Sequence, residues 1–320
     1  MGLSQFDNIR VVLAEPKTEL RKTLKECLHA HGFRSVLDTG NLSQVANAVR
    51  EGNVDLLIAD TSLPEGDFNE YVTELRHGKH GKNPFLVVIT LVSSPSRAAV
   101  QGAIDSGTDH VLAKPFNPDA MISHVLDLTH GRKRFVVTTD YIGPDRRSGP
   151  RPGTVEIPQI DVPNALRQRM TGQVSEGVLR RHVDAAKATV NEQKVVRHAF
   201  QIGWLLERLL PEIDTPSKSD EFKAHMERLA YVADDISGRI KSTRYAHIAA
   251  MCMTLTNMVS EASAKGFDAH DVLLLQKMAD LIEAAFDPER EGQGAEYIRN
   301  PQAIHAKAAE DARFQDAEVA

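Results

Sequence analysis

The sequence predicts two domains of different class: a five-stranded, doubly wound α/β domain with a parallel sheet, followed by an all-α helical bundle. The chain has 320 residues, more than one ordinary domain of about 100–150 residues. From residue 9 to about residue 130, short apolar runs alternate with amphipathic segments, as in strand–helix units. From residue 164 to residue 286, the apolar spacing is helical throughout.

Five apolar runs are the predicted strands of the first domain, residues 1–130. Runs such as Val11-Val12-Leu13 and Leu56-Leu57-Ile58 are apolar at every position. Strands of a parallel sheet have this character because helices cover both of its faces. The predicted strands are residues 9–14, 35–38, 54–59, 85–90 and 110–113.

Residues 131–163 are predicted to be a basic linker, because Gly and Pro are frequent there and the apolar pattern stops. Between residues 131 and 151, six basic residues face two acidic ones, a local net charge of +4. Two interpretations stay open: a strap that binds an anion or a partner, and a solvated linker lying on an acidic domain, which we favour. Tyr141 would anchor the segment, while Arg146 and Arg147 would bind a partner's carboxylate or phosphate or pair with acids of the same chain.

The second domain, residues 164–288, is predicted to be an antiparallel four-helix bundle that Asn164 opens as a helix N-cap. An extra helix is expected near residues 174–188, and residues 289–320 are expected to form a flexible tail. The four apolar stripes run through residues 196–210, 222–236, 248–259 and 272–286.

The composition excludes several classes of protein. Apolar residues make up 42% of the chain and charged residues 26%, which is typical of globular proteins. A formal net charge of −6 gives no general reason to bind nucleic acid. Cys27 and Cys252 lie far apart without metal-ligand spacing, so neither a disulfide framework nor a zinc site is predicted. Because no apolar run reaches about 18 residues, we expect a cytoplasmic protein without membrane insertion.

Four polar residues follow predicted strands of the first domain: Glu15, Asp60, Thr90 and Lys114. The carboxyl ends of parallel strands are where ligands bind in such sheets. A carboxylate can hold Mg²⁺ or act as a nucleophile toward phosphorus, while a hydroxyl and an ammonium can bind phosphoryl oxygens. The sequence therefore predicts a phosphoryl-transfer site at this edge.

The segments around these residues resemble the CheY-like receiver domain of two-component response regulators over about residues 8–130. The resemblance rests on four motifs in order. They are Val12-Leu13-Ala14-Glu15 with Glu19-Leu20-Arg21; Asp55-Leu56-Leu57-Ile58-Ala59-Asp60 with Leu63-Pro64 and Gly66-Asp67; Val88-Ile89-Thr90; and Gly107-Thr108-Asp109 with Lys114-Pro115-Phe116.

The resemblance implies a flavodoxin-like fold and a set of site residues. Asp60 would be the phosphoacceptor, Glu15 and Asp60 the Mg²⁺ ligands, Thr90 the switch hydroxyl and Lys114 the phosphoryl-binding cation. The peptide bond before Pro115 would be cis. A histidine kinase or phosphotransfer protein would act upstream, and a protein target downstream.

Three positions depart from the family pattern. Pro16 stands where a second acid usually follows Glu15, which would weaken the Mg²⁺ site. Leu91 follows Thr90 where a small residue is common, and Val111 replaces an aromatic residue. Two interpretations of Asp60 therefore stay open: a less efficient phosphoacceptor, and a pseudo-receiver that keeps the fold for protein contacts.

A weaker resemblance connects the bundle to histidine-phosphotransfer domains. It rests on the segment Ala233-Asp234-Asp235-Ile236-Ser237-Gly238. Asp234 would occupy the position of the active histidine and Ser237 that of a lysine, so this bundle could not carry phosphate there. A plain solvated helix face is the alternative explanation.

The function predicted from these observations is that of a non-enzymatic response regulator, which acts in a phosphorelay through protein–protein contacts. Homodimer formation stays open as an option. Two rivals stay open. A nucleic-acid-binding transcriptional regulator fits poorly because no basic recognition helix is seen. A phosphotransfer protein would need His198, His225 or His247, which are more simply ordinary helix residues.

Overall fold

The computed structural model describes residues 6–52, 54–93, 96–147, 157–172, 175–213, 218–267 and 269–286. The chain divides into two compact units, Met1–Val190 and Asn191–Ala320. Among the described residues, no helix is long and apolar enough to cross a lipid bilayer.

The first unit contains a five-stranded parallel sheet in the order β2-β1-β3-β4-β5. This confirms the predicted α/β class. The strands β3 and β4 are buried at every position, as expected for a sheet covered on both faces. The strands are β1 (Arg10–Ala14), β2 (Ser35–Thr39), β3 (Leu56–Asp60), β4 (Val87–Val92) and β5 (His110–Ala113).

Five helices alternate with these strands, and apolar cores lie on the two sides of the sheet. Side chains cap several of them: the Asn41 carboxamide accepts from the backbone of Gln44, and the Asp67 carboxylate accepts from the backbone of Asn69 and Glu70. The helices are α1 (Thr18–Ala30), α2 (Leu42–Glu51), α3 (Phe68–Arg76), α4 (Arg97–Asp105) and α5 (Pro118–His130).

The described residues of the predicted linker, 131–147 and 157–163, belong to the first unit rather than lying between two domains. They contain an antiparallel hairpin of β6 (Phe135–Val137) and β7 (Ile142–Pro144), and Phe135 also exchanges backbone hydrogen bonds with Ile160. A short helix, α6 (Ala165–Thr171), follows, and Asn164 caps it as predicted. This helix belongs to the first unit, however, and not to the bundle that Asn164 was expected to open. The physical reason for the difference is that this segment buries apolar side chains: Phe135, Val137 and Ile142 share a core with Phe85.

Buried arginines also hold the hairpin segment. We call Arg76, Asp109, Arg132 and Phe135 the arginine cluster. Arg132 forms two hydrogen bonds to the Asp109 carboxylate, 2.7 and 2.9 Å long, and Arg76 forms a third of 3.0 Å. The Phe135 ring lies 5.3 Å from the Arg76 guanidinium and 4.8 Å from that of Arg132.

The second unit is helical over its described residues, and one apolar core joins the four helices that contribute to it. α7 (Glu176–Leu209) is one continuous helix that begins in the first unit, which extends to Val190, so the separate extra helix expected near residues 174–188 is instead the first part of α7. No proline or glycine lies between residues 178 and 202 to break it. The helices α8 (Asp220–Ile240), α9 (Ala249–Lys265) and α10 (Ala269–Phe286) complete the unit. The predicted tail, residues 289–320, lies outside the described residues.

Candidate functional site

Three of the four predicted site residues meet at the carboxyl edge of the first unit's sheet. Glu15 follows β1, Asp60 ends β3 and Lys114 follows β5. The Lys114 ammonium group donates hydrogen bonds to both carboxylates, those of Glu15 and Asp60. Both carboxylates are fully buried, and the Lys114 side chain is 10% exposed. We call Glu15, Asp60, Ser93 and Lys114 the acidic pocket.

Asp60 is the most heavily hydrogen-bonded member of the acidic pocket. Its Oδ1 atom accepts from the backbone N–H of Ser62 at 2.7 Å and from the Ser62 hydroxyl. Its Oδ2 atom accepts from Lys114 and from the Ser93 hydroxyl at 2.8 Å. Burial alone would raise the pKa of Asp60, but the hydrogen bonds from Lys114, Ser62 and Ser93 hold that pKa below its ordinary value. Asp60 is therefore an ionised carboxylate at neutral pH.

Thr90 is not part of this pocket, contrary to the prediction. Its hydroxyl donates to the Thr108 hydroxyl at 2.8 Å, and Thr108 donates in turn to the backbone carbonyl of Val88. β4 continues to Val92, two residues beyond the predicted end of the strand, so Thr90 lies inside the sheet and is fully buried. Leu91, expected beside the pocket, packs into an apolar core.

Ser93 is the hydroxyl that the sequence prediction missed. It is the first residue after β4 and is exposed. The Ser93 hydroxyl donates a hydrogen bond to Asp60, and Lys114 Nζ lies 3.4 Å from Ser93 Oγ. The available signal was that the apolar run resumes after Thr90 with Leu91 and Val92, which places the end of the strand immediately before Ser93.

The donor set of the acidic pocket suits a hard divalent cation. Two carboxylates share one ammonium group, so the pocket keeps one negative charge in excess. Oxygen ligands of this kind are those that Mg²⁺ binds. Glu15 and Asp60 are the residues that would hold the ion, and Pro16 supplies no ligand of its own.

The family described as the response regulator receiver domain matches residues 11–126. Residues 11–126 are a response regulator receiver domain. The family match ends well before the second unit begins at Asn191. The peptide bond between Lys114 and Pro115 is cis, as the resemblance implied.

Curated relatives align with the receiver domain. The probable chemotaxis protein CheY of Rhizobium etli is 27% identical over 119 residues, which are 37% of this chain and 91% of that protein. The KDP operon transcriptional regulatory protein KdpE of Escherichia coli K12 is 29% identical over 106 residues, which are 33% of this chain and 44% of that protein. The chain thus spans less than half of the length of KdpE. Among solved structures, CheY4 of Vibrio cholerae is 20% identical with a TM-score of 0.34, covering 37% of this chain and 97% of CheY4.

Tyr141, Arg146 and Arg147 of the predicted linker all form hydrogen bonds within the chain. Arg146 donates to the backbone carbonyl of Thr108 at 2.7 Å, and Arg147 pairs with Asp145 at 2.8 Å. The Tyr141 hydroxyl donates to the carbonyl of Pro144 at 2.9 Å. Pairing with an acid of the same chain, one of the two interpretations of these arginines, is therefore what the structure shows for Arg147, whereas Arg146 binds backbone carbonyls.

The three bundle histidines considered for phosphotransfer and Asp234 differ in how far they are exposed to solvent. His198 is fully buried, and its Nε2 atom lies 2.7 Å from Asp235 on α8. Burial lowers the pKa of His198, although Asp235 acts in the opposite direction. His225 packs edge-on against Trp204, and His247 and Asp234 are exposed. A buried His198 is shielded from a phosphoryl donor, which weakens that rival.

Proposed function

We propose that this protein is a two-component response regulator in which Asp60 accepts a phosphoryl group. The observation that carries the proposal is the convergence of Asp60, Glu15, Lys114 and Ser93 in one pocket at the carboxyl edge of the receiver sheet. An ionised carboxylate, a cation and a hydroxyl are the groups that phosphoryl transfer to an aspartate requires.

In the proposed reaction, a carboxylate oxygen of Asp60 attacks the phosphorus of a phosphohistidine or of a small phosphodonor. The bond from phosphorus to the donor's leaving atom breaks, its electron pair stays on the donor, and an acyl phosphate remains on Asp60. The Lys114 ammonium and the Ser93 hydroxyl, which both contact Asp60, neutralise and hydrogen-bond the phosphoryl oxygens. Mg²⁺ bound by Glu15 and Asp60 would neutralise further negative charge on those oxygens.

The upstream partner would be a histidine kinase or phosphotransfer protein in the cytoplasm. The helical unit would pass the signal on through protein–protein contacts rather than by catalysis. Both proposed partners rest on the receiver assignment, and fold alone does not determine an output.

The test is direct phosphorylation of the full chain. We expect incubation with Mg²⁺ and acetyl phosphate to add one phosphate, detected as an intact-mass increase that is labile to alkali. Asp60→Asn should abolish the increase. Asp67→Asn is the matched control, because Asp67 is an exposed carboxylate on the following loop whose capping role asparagine can keep.

A pseudo-receiver that is never phosphorylated is the alternative that this experiment separates. It is favoured by Pro16, which leaves Glu15 as the single acid after β1. Absence of the mass increase in the wild type, with Mg²⁺ and donor both in excess, would establish it. A phosphate that persists in Asp60→Asn would instead assign the modification to another residue.

A further inference from the structure

A second group of metal-ligand side chains lies between α1 and α5. Cys27 and His31 are four residues apart at the end of α1, and Asp119 is in the first turn of α5. One ligand atom from each lies within 4.8 Å of the other two. None of the three belongs to the acidic pocket, and no receiver motif quoted above includes them.

The separations are close to those of a tetrahedral zinc centre. Cys27 Sγ lies 3.9 Å from His31 Nδ1 and 4.0 Å from Asp119 Oδ1. Zn–S bonds of about 2.3 Å and Zn–N or Zn–O bonds of about 2.0–2.1 Å, at tetrahedral angles, put such atoms about 3.5 Å apart. Each ligand atom therefore needs to move by only about 0.5 Å to reach a shared ion.

The helical spacing is what brings two of the ligands together. Residues four apart on a helix lie on one face, one turn above the other. Cys27 and His31 have this spacing, and α5 packs against α1, so Asp119 approaches them from the side. Cys27 is half-buried while His31 and Asp119 are exposed, so an ion can reach the group from solvent.

The chemistry of the three side chains selects the metal. A thiolate and an imidazole are ligands for zinc and other late transition metals, whereas Mg²⁺ and Ca²⁺ take oxygen ligands. One sulfur, one nitrogen and one carboxylate oxygen leave a fourth position for water.

We propose that Cys27, His31 and Asp119 form a zinc-binding site on the α1–α5 side of the receiver domain. Binding releases the Cys27 thiol proton to solvent as the Zn–S bond forms, with no change in oxidation state. The His31 imidazole, whose Nδ1 atom lies 2.9 Å from the Cys27 carbonyl oxygen, exchanges that contact for the metal. The ion would link the end of α1 to the start of α5.

The experiment uses the untagged full chain, stripped of metal and titrated with Co²⁺ and then Zn²⁺. We expect one equivalent of Co²⁺ to produce a thiolate-to-cobalt charge-transfer band and the d–d bands of a tetrahedral site, and Zn²⁺ to abolish both. The band can be assigned to Cys27, because the Cys252 thiol is fully buried and burial raises its pKa to about 12. Excess Mg²⁺ should leave the spectrum unchanged.

Three variants and one matched control test the ligands. Cys27→Ser should remove the charge-transfer band. His31→Ala and Asp119→Asn should each weaken Zn²⁺ binding by roughly 10–100-fold or more, because loss of a residue that only supports a metal ligand already costs that much. His130→Ala is the control, because His130 also ends a helix and has Nδ1 2.7 Å from the carbonyl four residues earlier, that of Leu126.

Three outcomes would overturn the proposal. If the wild-type protein gives no charge-transfer band with excess Co²⁺, it has no such site. This result does not depend on whether any variant folds. Equal Zn²⁺ affinity in wild type, Cys27→Ser and His31→Ala, measured by calorimetry on proteins with matching circular dichroism, would place the metal elsewhere. Loss of affinity in His130→Ala alone would do the same.

Discussion

The acidic pocket and the arginine cluster both bury a carboxylate in the first unit, but the charge balance around the two differs. In the acidic pocket, Asp60 and Glu15 share the single ammonium group of Lys114. In the arginine cluster, Asp109 alone faces the guanidinium groups of Arg76 and Arg132. One region has an excess of acid and the other an excess of base.

This difference in charge balance indicates which of the two regions can bind a ligand. The acidic pocket includes the exposed Ser93 and keeps an uncompensated negative charge, which favours the entry of a cation. The excess positive charge of the arginine cluster is already satisfied by the protein: Arg76 donates to the carbonyls of Gly107, Pro84 and Leu86. Burial and hydrogen bonding thus make the arginine cluster a structural contact, whereas the acidic pocket is the proposed binding site.

The largest loss of stability is expected from Asp109→Asn. This change leaves Arg76 and Arg132 buried without their acid, and breaking a buried ion pair by removing one partner typically costs about 3–5 kcal/mol. We expect the free energy of unfolding of the first unit to fall by that amount. Urea unfolding followed by far-ultraviolet circular dichroism measures it. A loss below about 1 kcal/mol would show that Asp109 is not the centre of this contact.

Acid provides the control for that measurement. Burial would raise the pKa of Asp109, but Arg132 and Arg76 lower it below the ordinary value. A carboxylate with a lowered folded-state pKa stabilises the protein above its unfolded-state pKa of about 3.9, and that stabilisation is lost as the pH falls. The difference between wild type and Asp109→Asn should therefore shrink once the pH drops below about 4. A difference that stays constant would assign the cost to packing.

A smaller loss is expected from Phe135→Leu in the same cluster. Leucine keeps the side chain apolar but removes the ring that faces Arg76 and Arg132 and meets Phe85 edge-on, with ring centroids 5.9 Å apart. We expect a loss of about 1–2 kcal/mol in the same urea assay. Phe33→Leu is the matched control, since Phe33 is equally buried and stacks on Phe6. If Phe33→Leu cost more, the cation–π contacts would contribute little.

The acidic pocket could be predicted from the sequence more fully than the arginine cluster, for physical reasons. Glu15, Asp60 and Lys114 each follow an apolar strand, and parallel strands bring their carboxyl ends to one edge. Thr90 was placed wrongly because the end of a strand inside an apolar run is ambiguous by one or two residues. That ambiguity changes which hydroxyl reaches Asp60.

The arginine cluster has no comparable local signal. Arg76 ends α3 and Arg132 follows α5, positions where basic residues are common on solvated helix ends. Their shared partner, Asp109, is distant in sequence from both, and its burial depends on the hairpin covering it. Gly and Pro in residues 131–163 indicated a linker, whereas the apolar residues Phe135-Val136-Val137 and Ile142 were the signal for the hairpin.

A sharper test of the acidic pocket compares Ser93→Ala with Thr90→Val. Ser93 is exposed and bonds to Asp60, so its removal should slow phosphorylation of Asp60 several-fold and change stability by no more than about 0.5 kcal/mol. Thr90 is buried and bonds to Thr108, so Thr90→Val should cost about 1 kcal/mol and leave phosphorylation unchanged. The measurements are the rate of mass increase with acetyl phosphate and urea unfolding. The opposite pattern would restore Thr90 as the functional hydroxyl.

Only a small effect on stability is expected from Asp60→Asn, the direct counterpart of Asp109→Asn. Lys114 keeps Glu15 as its partner, and one of two neighbouring negative charges is removed, so we expect a change within about 1 kcal/mol of zero. Mg²⁺ should raise the melting temperature of the wild type, because a ligand that binds only the folded state stabilises it. The same Mg²⁺ concentration should have no effect on Asp60→Asn. If Asp60→Asn cost as much as Asp109→Asn, or if Mg²⁺ stabilised both proteins equally, the acidic pocket would be a structural ion pair like the arginine cluster, and the contrast between the two regions would fail.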